Sequence, residues 1–235
     1  AVGALQLGLS IPGLFLATAV MTAAVVVFIF TLVPEFTMRF IIWLLVSTIY
    51  RVRKRGLENI PDEGPCLLVC NHVSYVDALL LGGAVRRPVR FVMAKPIYDL
   101  PLMNYIFRTG KAIPIDSKER NPEIYQQAFE RINEELADGQ VVCIFPEGKL
   151  TRDGELAEFK TGMEKIVNEN RVPVIPMALS GLWGSFFSHK GGPALTRLPK
   201  RFWSRVKLNV GEAVTADQVA SQDMRRRVLG LRERP

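Results

Sequence analysis

The first 34 residues contain no Asp, Glu, Lys, Arg or His. That excludes a solvated surface for the stretch, and almost every charged side chain lies beyond Tyr50. The 235 residues therefore divide in two by solvent preference. Cysteine is scarce: Cys66, Cys70 and Cys143 lie in apolar runs without CxxC spacing. Neither a disulfide framework nor a thiolate metal site is indicated; small buried core residues in a reducing compartment fit better. Although the net charge is +7 and the pI about 9.5, no aromatic-interleaved basic patch or nucleic-acid motif is present, and nucleic acid is set aside as a partner. Internal repeats and low-complexity segments are also absent.

What fills the uncharged stretch is apolar. Leu14 to Val33 is 20 residues rich in Leu, Val, Ala, Phe and Ile, about the length that crosses a hydrocarbon core. It exceeds a usual signal-peptide core and lacks a basic start. A second run, Phe36 to Tyr50, carries Arg39 and is short for an upright span, so an interfacial or re-entrant helix is expected, with Trp43 and Tyr50 at headgroup level. Arg51, Arg53, Lys54 and Arg55 follow at once. Basic residues beside a membrane segment favour the cytoplasmic side and attract anionic lipids. The absent initiator Met and the apolar start suggest a fragment of a longer membrane protein.

Residues 56–65 are turn-rich, and a globular domain spanning 56–235 is expected there, behind an anchor of residues 1–55. Strand-length apolar runs recur at Cys66 to Cys70, Val89 to Ala94, Ala112 to Ile115, Val141 to Phe145, Val174 to Leu179 and Val206 to Val210. Between them, Pro122 to Ala137 repeats Ile124, Ala128, Ile132 and Leu136 every four residues, which predicts a helix. The alternation predicts an α/β domain: a mostly parallel sheet flanked by helices, preceded by the membrane-anchoring helical segment.

Asn71-His72-Val73-Ser74-Tyr75-Val76-Asp77 follows the first of these strands. A histidine oriented by a carboxylate is a general base suited to neutral pH. Five residues on a regular helix would put His72 and Asp77 off one face, so they meet only if His72 lies in the loop before the helix. Ser74 with Asp77 also has the spacing of a capping box, which alone accounts for the carboxylate; the two readings are compatible. Phe145-Pro146-Glu147-Gly148 sits at the carboxyl end of another strand, where ligands bind in open α/β sheets. Glu147 is suited to accept hydrogen bonds from hydroxyls, and Gly148 lets a ligand approach the backbone. Lys111, Arg120, Lys149, Arg152 and Lys160 are candidate phosphate-binding cations, with solvated surface charge as the alternative. No Gly-x-Ser-x-Gly elbow is present, so a covalent intermediate on serine is not indicated.

With these blocks in order, the chain resembles the glycerophospholipid acyltransferases, best known through the lysophosphatidic acid acyltransferases. Asn71-His72 to Asp77 matches their His-x-x-x-x-Asp motif and Phe145-Pro146-Glu147-Gly148 their Phe-Pro-Glu-Gly block. Phe159-Lys160-Thr161-Gly162 and Val172-Pro173-Val174-Ile175-Pro176 match two later blocks, and the likeness runs from about Arg55 to Val210. The resemblance implies catalytic His72 and Asp77, a glycerol acceptor bound near Glu147 and Gly148, and acyl-CoA or acyl carrier protein as donor. It implies no metal or other cofactor. Asn71, Lys111, Arg120, Lys149, Thr151, Arg152 and Lys160 complete the expected substrate-binding set. Partners would be membrane lipids, a lysophospholipid and the thioester donor.

Two departures bear on the acceptor. Ser117 stands where the family usually has Arg after the Ile-Asp pair, and Lys149-Leu150-Thr151 stands for its Thr-Arg-Ser. Both losses remove planar guanidinium groups suited to phosphate. Transfer to lysophosphatidic acid, giving phosphatidic acid, is the leading expectation. Acylation of a phosphodiester lysophospholipid such as lysophosphatidylethanolamine, and a non-catalytic membrane-binding role, are the alternatives. The family also includes bacterial domains fused behind a transporter, and Ala1 to Val33 would fit such a transporter's final helix.

Overall fold

The computed structural model describes residues 10–101, 103–185 and 204–233. Helix α1 (Ile11–Leu32) begins at Ser10, whose hydroxyl accepts from Gly13 N–H at 3.3 Å, and carries Pro12 in its first turn, where the missing proline N–H costs nothing. Its 22 residues bury no side chain within the chain. At 1.5 Å per residue it is about 33 Å long, matching a hydrocarbon core of about 30 Å.

Helix α2 (Pro34–Ile49) starts after a single residue and lies against the globular domain. Arg39 donates to the carbonyls of Val85 and Arg86 at 3.1 and 2.9 Å. Glu35 pairs with buried Arg90 at 2.6 Å. Gly83 permits close packing, since a Cβ there would stand 3.4 Å from the Trp43 Cα. The apolar run thus forms a helix, as expected of it, but its arginine serves the protein rather than lipid headgroups.

The sheet order is β1-β7-β6-β2-β5-β3-β4, built from β1 (Tyr50–Arg55), β2 (Cys66–Cys70), β3 (Val89–Ala94), β4 (Ile113–Ile115), β5 (Val141–Ile144), β6 (Val174–Ser180) and β7 (Ser204–Val210). Among the described residues, the pairings of these strands are parallel except β6 with β7. β2 and β5 are buried along their whole length, which is why they read as unbroken apolar runs. Cys66, Leu68 and Cys70 face one core layer with Leu80 and Tyr50; Leu67 and Val69 face the other. That other layer is closed by α6 (Pro122–Ala137), α7 (Gly162–Asn170) and α8 (Ser221–Glu233). Among the described residues the remaining α-helices are α3 (Asp77–Ala84), α4 (Lys95–Tyr98) and α5 (Met103–Thr109). The three cysteines are free and buried, and burial pushes the Cys66 thiol up to about 11, as suits inert packing residues.

Tyr50 to Arg55 departs from its grouping with the helical anchor. It forms edge strand β1, in parallel register with β7 from Tyr50↔Ser204 to Arg55↔Asn209. Tyr50 is only 7% exposed and packs with Val46, Val206 and Leu208, so it belongs to the core and not to a headgroup belt. Inward Tyr50 and Val52 alternating with outward Arg51 and Arg53 supply the period-two pattern of a half-buried strand.

Candidate active site

Each strand of the β2-β5 pair delivers its following loop to the same end of the sheet, so the segments after Cys70 and Ile144 meet. Asn71, at the end of β2, is 1% exposed. Its side chain donates to the Leu179 carbonyl at 3.0 Å and accepts from the Leu179 amide at 2.7 Å. That amide pair extends the β2-β6 contact past the last strand residue. Its polar groups are thereby occupied by β6, and Asn71 fastens that strand to β2.

Both backbone groups of His72 are held by the loop after β5. Its N–H donates to Glu147 Oε1 at 2.6 Å, and its carbonyl accepts from Thr151 N–H at 3.1 Å. The ring is held separately. Nδ1 lies 2.9 Å from Asp77 Oδ2, and the Phe145 ring stacks on the imidazole at 4.2 Å with 18° between planes. A carboxylate only accepts, so Nδ1 carries the proton and the Nε2 lone pair is left available. Nε2 has no hydrogen-bond partner among the described residues, and the side chain is 22% exposed.

Asp77 is fully buried. Besides His72, its Oδ2 accepts from the amides of Val73 at 2.6 Å and Ser74 at 2.9 Å, while Ser74 Oγ accepts from Val76 N–H at 3.2 Å. The carboxylate thus reaches back as a capping-box acid does and holds the imidazole with the same oxygen. His72 lies in the turn before α3, the only arrangement in which a five-residue spacing brings the two together.

Glu147 departs from its expected place. It is 2% exposed, and its second oxygen accepts from Ala157 N–H at 2.9 Å. Burial pushes its carboxyl up, against the opposing pull of the His72 and Ala157 amides. It ties three chain segments together behind His72. Thr151 is similar: buried, it shares its hydroxyl with Asp153, Gly154 N–H and the Glu155 carbonyl. We expect Glu147→Gln, which sets an NH₂ against one of two buried amides, to cost about 1–3 kcal/mol in stability. Turnover should fall roughly tenfold, since losing an amide partner loosens the His72 loop by that order of energy. An acceptor KM that rises alone, with kcat and melting temperature unchanged, would return Glu147 to the substrate.

Gly148 has φ 66°, and a Cβ there would lie 2.7 Å from Lys160 Nζ. Lys160 therefore arches over the turn beside Glu147, with Lys149 and Arg152 exposed in the same loop. These three cations are brought to the site end of the sheet. Arg120 follows β4, three strands from β2, is 70% exposed and is engaged by Asp116 at 3.5 Å. Lys111 precedes β4 in a left-handed turn (φ 49°) and lines a recess with Arg108 and Arg131; it is not joined to His72. Phe145 was missed as a site residue because an aromatic closing an apolar run reads as the end of a strand.

The geometry can be set beside known proteins. A family model described as Acyltransferase matches residues 51–180. The chain is 30% identical over 143 residues to the chloroplastic 1-acyl-sn-glycerol-3-phosphate acyltransferase BAT2 of Brassica napus, covering 60% of this chain and 41% of that one. It is 30% identical over 177 residues to the N-acylphosphatidylethanolamine synthase of Arabidopsis thaliana, covering 68% of this chain and 60% of the other. The chain spans about half or less of the length of the first curated relatives it matches. The crystal structure of the 1-acyl-sn-glycerophosphate acyltransferase PlsC from Thermotoga maritima shares the fold, with a TM-score of 0.63 at 23% identity over 83% of this chain and 75% of that one.

Proposed function

From a chain that belongs to the Acyltransferase family, we propose an enzyme that moves a fatty acyl group from an acyl thioester to the free hydroxyl of lysophosphatidic acid at a membrane. The observation that carries this reading is the His72–Asp77 pair with Nε2 open at the carboxyl end of the sheet. Nε2 takes the acceptor hydroxyl's proton as its oxygen bonds to the thioester carbonyl carbon. The tetrahedral oxyanion collapses, the C–S bond breaks, and the thiolate leaves with the proton returned by the imidazolium. Asp77 stabilises that imidazolium and fixes the tautomer. Lys149, Arg152 and Lys160 are assigned to the acceptor phosphate.

The apolar cavity lined by Ala78, Leu79 and Gly82 of α3 with Met38 and Ile42 of α2 begins within a turn of Asp77 and offers the acyl chain a place. Helix α1 holds the domain at the bilayer, and the basic strand β1 beside the membrane helices favours the cytoplasmic side. Acyl-CoA and acyl carrier protein both remain donors under this reading, since CoA phosphates and an acidic carrier suit a basic protein equally.

The test is a mass-spectrometric transfer assay in detergent, pairing acyl-CoA and acyl carrier protein with lysophosphatidic acid and several phosphodiester lysophospholipids. A doubly acylated product supports the reading; free fatty acid alone indicates hydrolysis, and no product from folded protein overturns it. A second reading, in which the acceptor is a phosphodiester lysophospholipid, is favoured by half-buried Leu150, which occupies an arginine position of the family. We expect Leu150→Arg to raise the kcat/KM ratio of lysophosphatidic acid over lysophosphatidylethanolamine about tenfold, the worth of one charged hydrogen bond. An unchanged ratio would dissociate this position from the phosphate.

A further inference from the structure

We infer that the α4–α5 hairpin is a second membrane-contacting element, seating an exposed aromatic and aliphatic tip in an anionic lipid bilayer. The inference rests on reading α1 as a membrane span. Beyond α1, α2 and the Val33 that links them, the described large apolar side chains left exposed are Tyr75, Leu100 and Tyr105. Leu100, between α4 and α5, is 45% exposed, and Tyr105 on α5 is 72% exposed. Elsewhere in the hairpin, Ile106 and Phe107 line the apolar cavity with Met38 and Ile42 of α2, and Phe107 stacks with Tyr98 at 6.3 Å. Tyr105 therefore points outward because its neighbours point inward, and Arg108, three residues on, shares its face.

Bilayer, rather than a soluble partner, follows from where this tip is held. Gly110 abuts α2 so closely that a Cβ would stand 3.0 Å from Met38 Cε. The other side of α2 leaves Phe40, Ile41, Leu44 and Leu45 about half exposed, and α2 follows the membrane-length α1 after one residue. Apolar side chains are thus left exposed on α1, on α2 and on the hairpin that packs against α2. Its charge is complementary to anionic headgroups. Lys95 is neutralised by Asp99, whereas Arg108 and Lys111 form no ion pair among the described residues and flank a recess with Tyr98. An amphipathic tyrosine with cations behind it suits the level of lipid headgroups.

The full chain carrying Tyr105→Cys or Leu100→Cys, labelled with an environment-sensitive dye, tests this; the three native cysteines are buried. The protein is reconstituted in phosphatidylcholine vesicles with and without phosphatidylglycerol, with Gln127→Cys on the exposed side of α6 as control. We expect blue-shifted emission and quenching by spin-labelled lipid at 100 and 105 but not at 127. Arg108→Glu with Lys111→Glu should abolish the extra shift given by phosphatidylglycerol. Water-like emission and full iodide quenching at 105 in both vesicles would overturn the proposal. So would a shift that appears without lipid as protein concentration rises, which would mark a contact between copies. No acyl substrate is present, so the outcome is independent of whether the chain transfers acyl groups.

Discussion

Replacing His72 with alanine is expected to lower acyl transfer roughly 100- to 10,000-fold, the range over which a positioned general base acts, while the domain stays folded. The two halves of this expectation come from different atoms. Under the proposed mechanism turnover depends on the ring, whose Nε2 is the open acceptor. Loop geometry depends on the His72 backbone, held by Glu147 and Thr151, which alanine keeps. What the fold loses is the Phe145 stack and one of three donors to Asp77 Oδ2. The other two donors remain, so the stability cost should be about 1–2 kcal/mol. Initial rates, melting temperature and vesicle association measured on the same preparation check this. Near-normal turnover in the alanine variant would remove His72 from the chemistry, and equal, assay-limited silence in the parent and the variant would favour a membrane-binding domain.

The sheet was legible because its central strands are buried on both faces, and such strands announce themselves by unbroken apolar residues. β2 is found at Cys66–Cys70 and α6 at Pro122–Ala137, where the apolar run and the four-residue repeat place them. β1 was not legible, because Arg51, Arg53, Lys54 and Arg55 dominate its composition and resemble a juxtamembrane cluster. Only the partner strand β7, about 150 residues later in the chain, reveals that Tyr50 and Val52 are its inward face. The same physics explains the site. His72 and Asp77 are close in sequence, and loop geometry alone limits how they meet. Glu147 is satisfied by amides 75 and 10 residues away, and Asn71 by a strand 108 residues away. A polar residue at a strand end is equally suited to a ligand or to an orphan backbone group, and only the tertiary fold decides between them.

Asp77→Asn separates the two duties that one carboxylate performs. Its Oδ2 receives three N–H groups, and its Oδ1 is buried without a partner among the described residues. An asparagine that keeps oxygen on the three donors still closes the turn before α3, but it leaves its NH₂ unpartnered where Oδ1 lay and carries no charge to stabilise an imidazolium. One that flips to relieve this points NH₂ at the His72 ring and can favour the wrong tautomer. Either way the base is impaired while the turn is largely retained. We expect kcat to fall about 1,000- to 10,000-fold, as for the orienting carboxylate of a catalytic triad, with a stability loss of about 1–3 kcal/mol from the unsatisfied amide. The Michaelis constants for donor and acceptor should change little, because Asp77 is fully buried. A loss of activity that merely follows the unfolded fraction would leave Asp77 as a cap alone; full activity in a folded variant would show that His72 needs no oriented tautomer. Only a large drop in kcat in a folded protein, with amide protection at Val73 and Ser74 preserved, is the signature of a carboxylate that both closes the turn and holds the base.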